Sequence, residues 1–408
     1  MLTFNKKLTI YLICFGSLLI SFFLGENSSG GAKLDFLATK KFIDLFQIDT
    51  NQGFNLFIDE GQVHFPFFYF IVANLNAYFG DFLINILYLF ISTSIPFVFY
   101  KTLKKKFLKV NKDDLFILSL LIFLSPYFRS SAVWITTDNL ALLFIILSIY
   151  YFVSFESSSE IKLKYAFYCF FFLILASYIR HYYSIFFVFY FYFIQQKIKL
   201  VQCFYLILFN IFFSIPAIVY IFYYMTRDRD HVVFENFLSF DFIFNFLVVT
   251  SLSLFYLLPF LFHKDIFNDL RDKIYLKKKF FLIIIFLFLL LFIFYNIPTL
   301  NLGGGIIYKL SQLIELKMFI LFSFAGFVFF SILNDFNMRN NLLYAVLIFS
   351  FPFGFVYQKY YDPLMIVIFL SLINSSYINE LFIKKKYNFY LVFGYYFTFL
   401  TASNIYYN

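Results

Sequence analysis

The chain has 408 residues, of which 62% are hydrophobic and 26% aromatic, with a net charge of +9 and a mean hydropathy of +0.82. A soluble globular protein, about half apolar, is excluded, and a polytopic membrane protein is indicated. In such a chain the placement of the basic residues says more than their total.

A bilayer core takes about 20 apolar residues per helix, and that ruler divides the chain. The first span, about 8–24, follows Lys6 and Lys7; no small-x-small cleavage site precedes Glu26, so the segment reads as a retained helix. The polar interval from Gly25 to Pro66 comes next and is the longest in the chain. Residues 64–78 read as an interfacial helix rather than a span, because Asn74 and Asn76 interrupt a short apolar run. Further spans are expected near 81–100, 114–126, 139–155, 165–179, 182–195, 200–225, 243–262, 280–296, 317–333, 341–356, 363–382 and 389–403. The expected fold is therefore all-α and polytopic, with about 13 transmembrane helices and an outer first loop, about 25–80, carrying interfacial helices. It forms a single transmembrane domain over 1–408, with no repeat and no soluble domain.

Roughly two thirds of the 32 Lys and Arg fall on the side of the N-terminus, as the positive-inside rule requires of the cytoplasmic side. Most of the 23 acids fall on the other side. Either a site or ordinary loop solvation accounts for that excess.

The outward polar groups gather at five places. They are Glu26 and Asp35 with His64; Arg129, Trp134, Thr136, Thr137 and Asp138; Arg180 and His181; Arg227, Arg229 and His231; and Lys359, Tyr360, Tyr361 and Asp362. Cations and carboxylates at helix ends suit a phosphate-bearing ligand that must meet a base. Arg180 interrupts an apolar stretch at a cost of about 2.5–3.5 kcal/mol in mid-membrane, which either a hairpin bend or a phosphate contact explains. The four histidines are too dispersed for a zinc site. No cofactor is expected, although Mg or Mn on Asp35 or Asp138 stays open. Gly303, Gly304 and Gly305 lack the context of a phosphate-binding loop and read as loop flexibility.

A first span, a long outer loop with an early acid, the segment HFPFFY (His64, Pro66, Tyr69) and about a dozen further spans together resemble the GT-C superfamily of polyprenyl-phosphate-dependent glycosyltransferases. SPYFRSSAVWITTDNLALLF is similar to that family's turn between spans 3 and 4, with Asp138 at its second acid. YIRHYY resembles an Arg-Gln segment of the dolichyl-phosphate-glucose glucosyltransferases, with His181 in place of Gln. YQKYYDP is similar to their Glu-x-Arg-Tyr-Tyr segment, with Lys359 at the Arg. The usual adjacent Asp-Glu pair is split here into Glu26 and Asp35, and Lys359 lacks the planar fork of Arg.

The resemblance implies a membrane glycosyltransferase acting at the extracytoplasmic face of a bacterial plasma membrane. Its donor would be a polyprenyl-phosphate sugar and its acceptor a lipid or glycan; no nucleic-acid partner is expected. Asp35 would be the general base with Glu26 in reserve, and Asp138 would orient the acceptor or the base. Arg180, His181, Lys359, Tyr360 and Arg129 would hold the donor phosphate, and His64, Tyr69 and Trp134 would face the acceptor. The alternatives are an envelope polysaccharide polymerase or ligase, and a lipid-linked sugar flippase or transporter.

Overall fold

The computed structural model describes residues 3–60, 65–158, 162–227, 241–261, 266–300, 303–335, 337–351, 356–383 and 388–407. Among these residues the protein is helical throughout, with no strand. Packing divides it into two compact units, Met1–Phe234 with Tyr396–Asn408, and Glu235–Tyr395.

The first unit opens with α1 (Phe4–Leu24), 21 residues long and so about 31 Å, enough to cross a bilayer core. Gly25 ends it in the left-handed conformation, φ 65°. The Gly25 amide donates to Phe22 O and the Glu26 amide to Ser21 O, at 3.2 and 3.0 Å. This is the Schellman pattern, and it delivers Glu26 at a defined point.

The polar interval is itself folded, as α2 (Ala32–Ile48), α3 (Thr50–Asp59) and α4 (Phe67–Phe79). Phe42, Phe57 and Tyr69 meet at ring distances of 4.9–5.5 Å, and Phe46 packs on Phe54. All but Phe54 of these rings are buried, each burial contributing about 1.5–3 kcal/mol. Gly53 is needed between them, because a Cβ there would lie 2.7 Å from Phe46. At 13 residues α4 rises about 20 Å, too little to span.

Then follow α5 (Asp81–Lys106), α6 (Lys112–Ser119), a 3-10 turn over Leu120–Leu124, α7 (Pro126–Trp134) and α8 (Thr137–Ser157). The unit continues with α9 (Leu163–Ile179), a 3-10 turn over His181–Ile185, α10 (Phe186–Gln195) and α11 (Leu200–Arg227). The helices α2, α4 and α7 pack together, and α8 packs along α9 and α5.

The second unit is built around α12 (Phe242–Leu261), most of whose residues are buried. After it come α13 (Ile266–Leu276), α14 (Lys278–Phe294), α15 (Gly305–Ile314), α16 (Met318–Leu333) and α17 (Met338–Phe349). The last elements are α18 (Leu364–Ser371), α19 (Ser376–Ile383) and α20 (Phe389–Tyr407), the end of α20 belonging to the first unit. Close approach of α16 to α12 depends on Gly326, where a Cβ would lie 2.0 Å from Thr250 O. Ser323 fastens the same face, donating to Leu247 O at 2.9 Å.

The protein is thus an integral membrane protein by the length and composition of its helices, but the expected count of about 13 spans is not supported. Among the described residues five helices are long and apolar enough to cross, or up to seven if the bent pairs Lys112–Leu124 with Pro126–Trp134 and Gln358–Ser371 with Ser376–Ile383 each count as one. The reason is length between breaks. α9, α16, α17 and α18 have 17, 16, 12 and 8 residues and rise about 12–26 Å, short of the 30 Å core.

The triple glycine is also not the flexible loop expected from sequence. Gly303, Gly304 and Gly305 all have positive φ, 88°, 74° and 79°, conformations glycine adopts without strain. The turn is docked: the Gly304 amide donates to Val356 O at 2.7 Å and the Ile306 amide to Gln358 Oε1 at 2.8 Å. Gln358 completes the clamp by donating to Tyr256 Oη at 3.0 Å.

Candidate functional site

The interval after α1 is locked onto α7. Ser28 Oγ donates to Glu26 Oε1 at 2.8 Å or to Pro126 O at 3.0 Å and meets Ser130 Oγ at 3.0 Å, and the Ser29 amide donates to Ser130 Oγ. Gly30 turns the chain at φ 76°, directly over Tyr407, where a Cβ would lie 2.2 Å from the ring.

Within this frame Glu26 and Arg129 form a forked ion pair. Arg129 Nε donates to both carboxylate oxygens at 3.0 and 3.1 Å, and Nη2 reaches Oε2 at 2.9 Å. Arg129 also bonds Ser17 and the Ser21 hydroxyl. Both side chains are buried, 8% and 9% exposed. Burial alone would raise the Glu26 carboxyl, but the Arg129 hydrogen bonds and charge, with Ser21 and Ser28, hold it below the usual carboxylate range. Trp134 Nε1 donates to Glu26 O at 2.8 Å, and the Trp134 ring meets Phe36 at 5.8 Å and Lys33 Nζ at 5.7 Å.

A second ion pair lies where α8 begins and α9 ends. Asp138, in the first turn of α8, receives Arg180 Nη2 at 2.7 Å and the Thr136 hydroxyl at 3.1 Å. Its exposure is 21% and that of Arg180 17%, so the pair is reachable from solvent. Arg180 is the extended residue that separates α9 from the following 3-10 turn, with φ −136° and ψ 95°. His181 comes next, and burial together with the adjacent Arg180 charge pushes its imidazole down to about 4. It is neutral at pH 7.

Tyr69 joins this pair to the first loop. Its buried hydroxyl lies within hydrogen-bonding reach of Thr39 and within the fields of Arg180, Asp138 and Asp35. Burial raises its phenol, against the Arg180 charge, so the hydroxyl keeps its proton at neutral pH. Asp35 sits half-buried in the first turn of α2, and its backbone carbonyl accepts from Thr39 Oγ1 at 2.7 Å.

The structure pairs Asp138 with Arg180 and puts the Tyr69 hydroxyl within electrostatic range of both and of Asp35, with Glu26, Arg129 and Trp134 as a second group. Lys359 and Tyr360 belong to the other unit. There the Lys359 ammonium lies 5.4 Å from the Tyr357 ring, and Tyr360 stacks on Phe351 at 4.8 Å. His64, Arg229 and His231 lie outside the described residues, as does the Arg227 side chain. Sequence reasoning missed Thr39, which links Asp35 to Tyr69, and Gln358, which holds the glycine turn. A threonine in an amphipathic helix and a glutamine beside tyrosines carry no signal of such contacts. Among the described residues no three of His, Cys, Asp and Glu come together as a metal site.

Comparison with protein-family models, curated proteins and solved structures finds no match to this chain.

Proposed function

We infer that the chain is a membrane glycosyltransferase of the GT-C kind, moving a sugar from a polyprenyl-phosphate donor to a lipid or glycan hydroxyl. Its site lies at the extracytoplasmic face of a bacterial plasma membrane, a reading supported by Lys6 and Lys7 ahead of α1, which favour a cytoplasmic start and an outward first loop. The observation that supports this reading is the part-exposed Asp138–Arg180 pair, with Tyr69 in the electrostatic reach of that pair and of Asp35.

Arg180 donates Nη2 to Asp138 Oδ1, and a planar guanidinium is the side chain best shaped to grip a phosphate. Two carboxylates close by supply the base and its partner. In the step proposed, Asp35 takes the proton of the acceptor hydroxyl as that oxygen bonds to the anomeric carbon. The bond from that carbon to the phosphate oxygen breaks, and its electron pair leaves with the polyprenyl phosphate. Arg180 offsets the charge that develops there, and Tyr69 donates a hydrogen bond. The anomeric configuration inverts.

Glu26 is a poor base in this arrangement. Its oxygens are occupied by Arg129 and Ser28, and a carboxylate held below its usual range binds a proton weakly. The reading rests on the first unit alone.

The test is turnover in proteoliposomes supplied with a panel of polyprenyl-phosphate sugars carrying labelled glycosyl groups, with membrane glycan as acceptor. Label should pass to the acceptor with release of polyprenyl phosphate. Transport of intact donor across the bilayer without release would identify a flippase instead.

A further inference from the structure

The second unit holds an open groove of about 690 Å³ that plays no part in the chemistry above. One wall is a stripe of α16, formed by Phe324, Ala325, Val328 and Phe329. The opposite wall comes from the end of α13 and the start of α14, where Arg271, Ile274, Tyr275 and Lys278 follow one another at helical spacing. The stripe of α16 is left open for a reason already visible: the helix turns Ser323 and Gly326 towards α12, and so presents its other side to the groove. Phe324 packs on Phe288 of α14 at 5.2 Å and closes one end of it.

The charges are sorted along the opposite wall. Lys273 is committed elsewhere, donating to Asp335 Oδ1 at 2.6 Å and Ile332 O at 2.8 Å. Arg271 and Lys278 are exposed and line the groove. Arg271 Nε lies 3.5 Å from Asp272 in an exposed pair, a contact worth little. Tyr275 is 79% exposed, an aromatic of the kind that sits at the headgroup level of a bilayer.

An apolar slot with two cations along one wall, on an integral membrane protein, is complementary to a lipid with hydrocarbon tails and an anionic head. We propose that this groove binds one anionic phospholipid, its acyl chain lying along Phe324, Val328 and Phe329 and its phosphate meeting Arg271 and Lys278. The site is independent of the glycosyl-transfer reading, and stands or falls separately from it.

Native mass spectrometry of the full chain, released from mixed micelles containing equal phosphatidylglycerol and phosphatidylcholine of matched acyl chains, tests it. The expected result is retention of one phosphatidylglycerol in preference to phosphatidylcholine, about fivefold or more. That preference should vanish in an Arg271→Gln, Lys278→Gln double variant, whose substitutions lie on the exposed rim and leave the melting temperature unchanged. A Val328→Trp variant, which fills the slot, should lose both lipids. Equal retention of the two lipids by the native protein would overturn the proposal, as would undiminished preference in the double variant. Competition by inorganic phosphate as effective as by phosphatidylglycerol would overturn it too, since it would show a site for the phosphate alone.

Discussion

Arg129 and Glu26, 103 residues apart, face each other in a buried fork, with Arg129 Nε 3.0 and 3.1 Å from the two carboxylate oxygens. The contact fastens the end of α1 to α7 and fixes where the first loop starts. A buried pair of this kind adds little net stability as a pair, but losing one partner strands the other. The acid nearest the first span is thereby given a structural duty, which is why the proposed base is Asp35.

Glu26→Gln should therefore destabilise the protein by about 3–5 kcal/mol, because it leaves the Arg129 charge buried and uncompensated. The sign of the pH dependence follows from the lowered carboxyl. The pair's contribution is complete above the unfolded value, 4.5, and is lost as pH falls through the lower folded value. Unfolding in detergent, followed against pH, should show this acid limb in the native protein and not in the variant. A loss below about 1 kcal/mol would contradict the buried pair.

His181 behaves in the same direction for a different reason. Its folded value, about 4, lies below the ordinary 6.5, so the unfolded chain binds the proton first. Stability is complete above pH 6.5 and declines by about 3 kcal/mol as pH falls towards 4, at about 1.4 kcal/mol per unit. His181→Gln should flatten that interval. An unchanged slope between pH 6.5 and 4 would show that the imidazole titrates freely in the fold.

In the second unit, Gly304→Ala should cost at least about 1–2 kcal/mol from the left-handed backbone alone. The added Cβ would also lie 2.2 Å from the ring of Tyr308, which is fully buried and bonded to Pro298 O at 2.6 Å. Gly16→Ala is the control, since nothing lies within 4 Å of its Cβ position. Equal melting temperatures for the two variants would contradict a fixed turn at 303–305.

How far the sequence reached can be judged on these same residues. The polar interval after the first span and the interruption at Arg180 were legible, because each is a local matter of composition or of one charge in an apolar run. The Glu26–Arg129 fork was not, since nothing local to either residue announces a partner 103 positions away. Nor were the glycine turn's contacts with Val356 and Gln358. The span count is not supported because several apolar runs fold as helices too short to cross, and hydropathy does not show breaks such as the 88° bend between Gln358–Ser371 and Ser376–Ile383. There the Asn374 amide donates to Asn340 Oδ1 at 2.8 Å, and the Ser376 amide to Asp335 Oδ2 at 2.7 Å. These side chains take up backbone groups that a continuous helix would pair internally.

For the donor, Arg180→Ala should raise KM by about 10- to 150-fold, corresponding to the 1.5–3 kcal/mol of a charged hydrogen bond. The acceptor KM should change much less, because Asp35 and its neighbour Thr39 are untouched. Steady-state kinetics with each substrate varied in turn measures the split. Equal losses towards both substrates would mean that Arg180 only shapes the junction of α9 with the turn that follows.

The most direct measurement of the central claim is the rate of sugar transfer by Asp35→Asn in proteoliposomes, normalised to folded protein. The amide keeps the size and the place in the first turn of α2, but it cannot take the proton of the attacking hydroxyl. The account predicts native melting behaviour, nearly native donor binding, and a rate reduced by about 10²–10⁴-fold. Transfer at the native rate by a variant made in normal amount would contradict it.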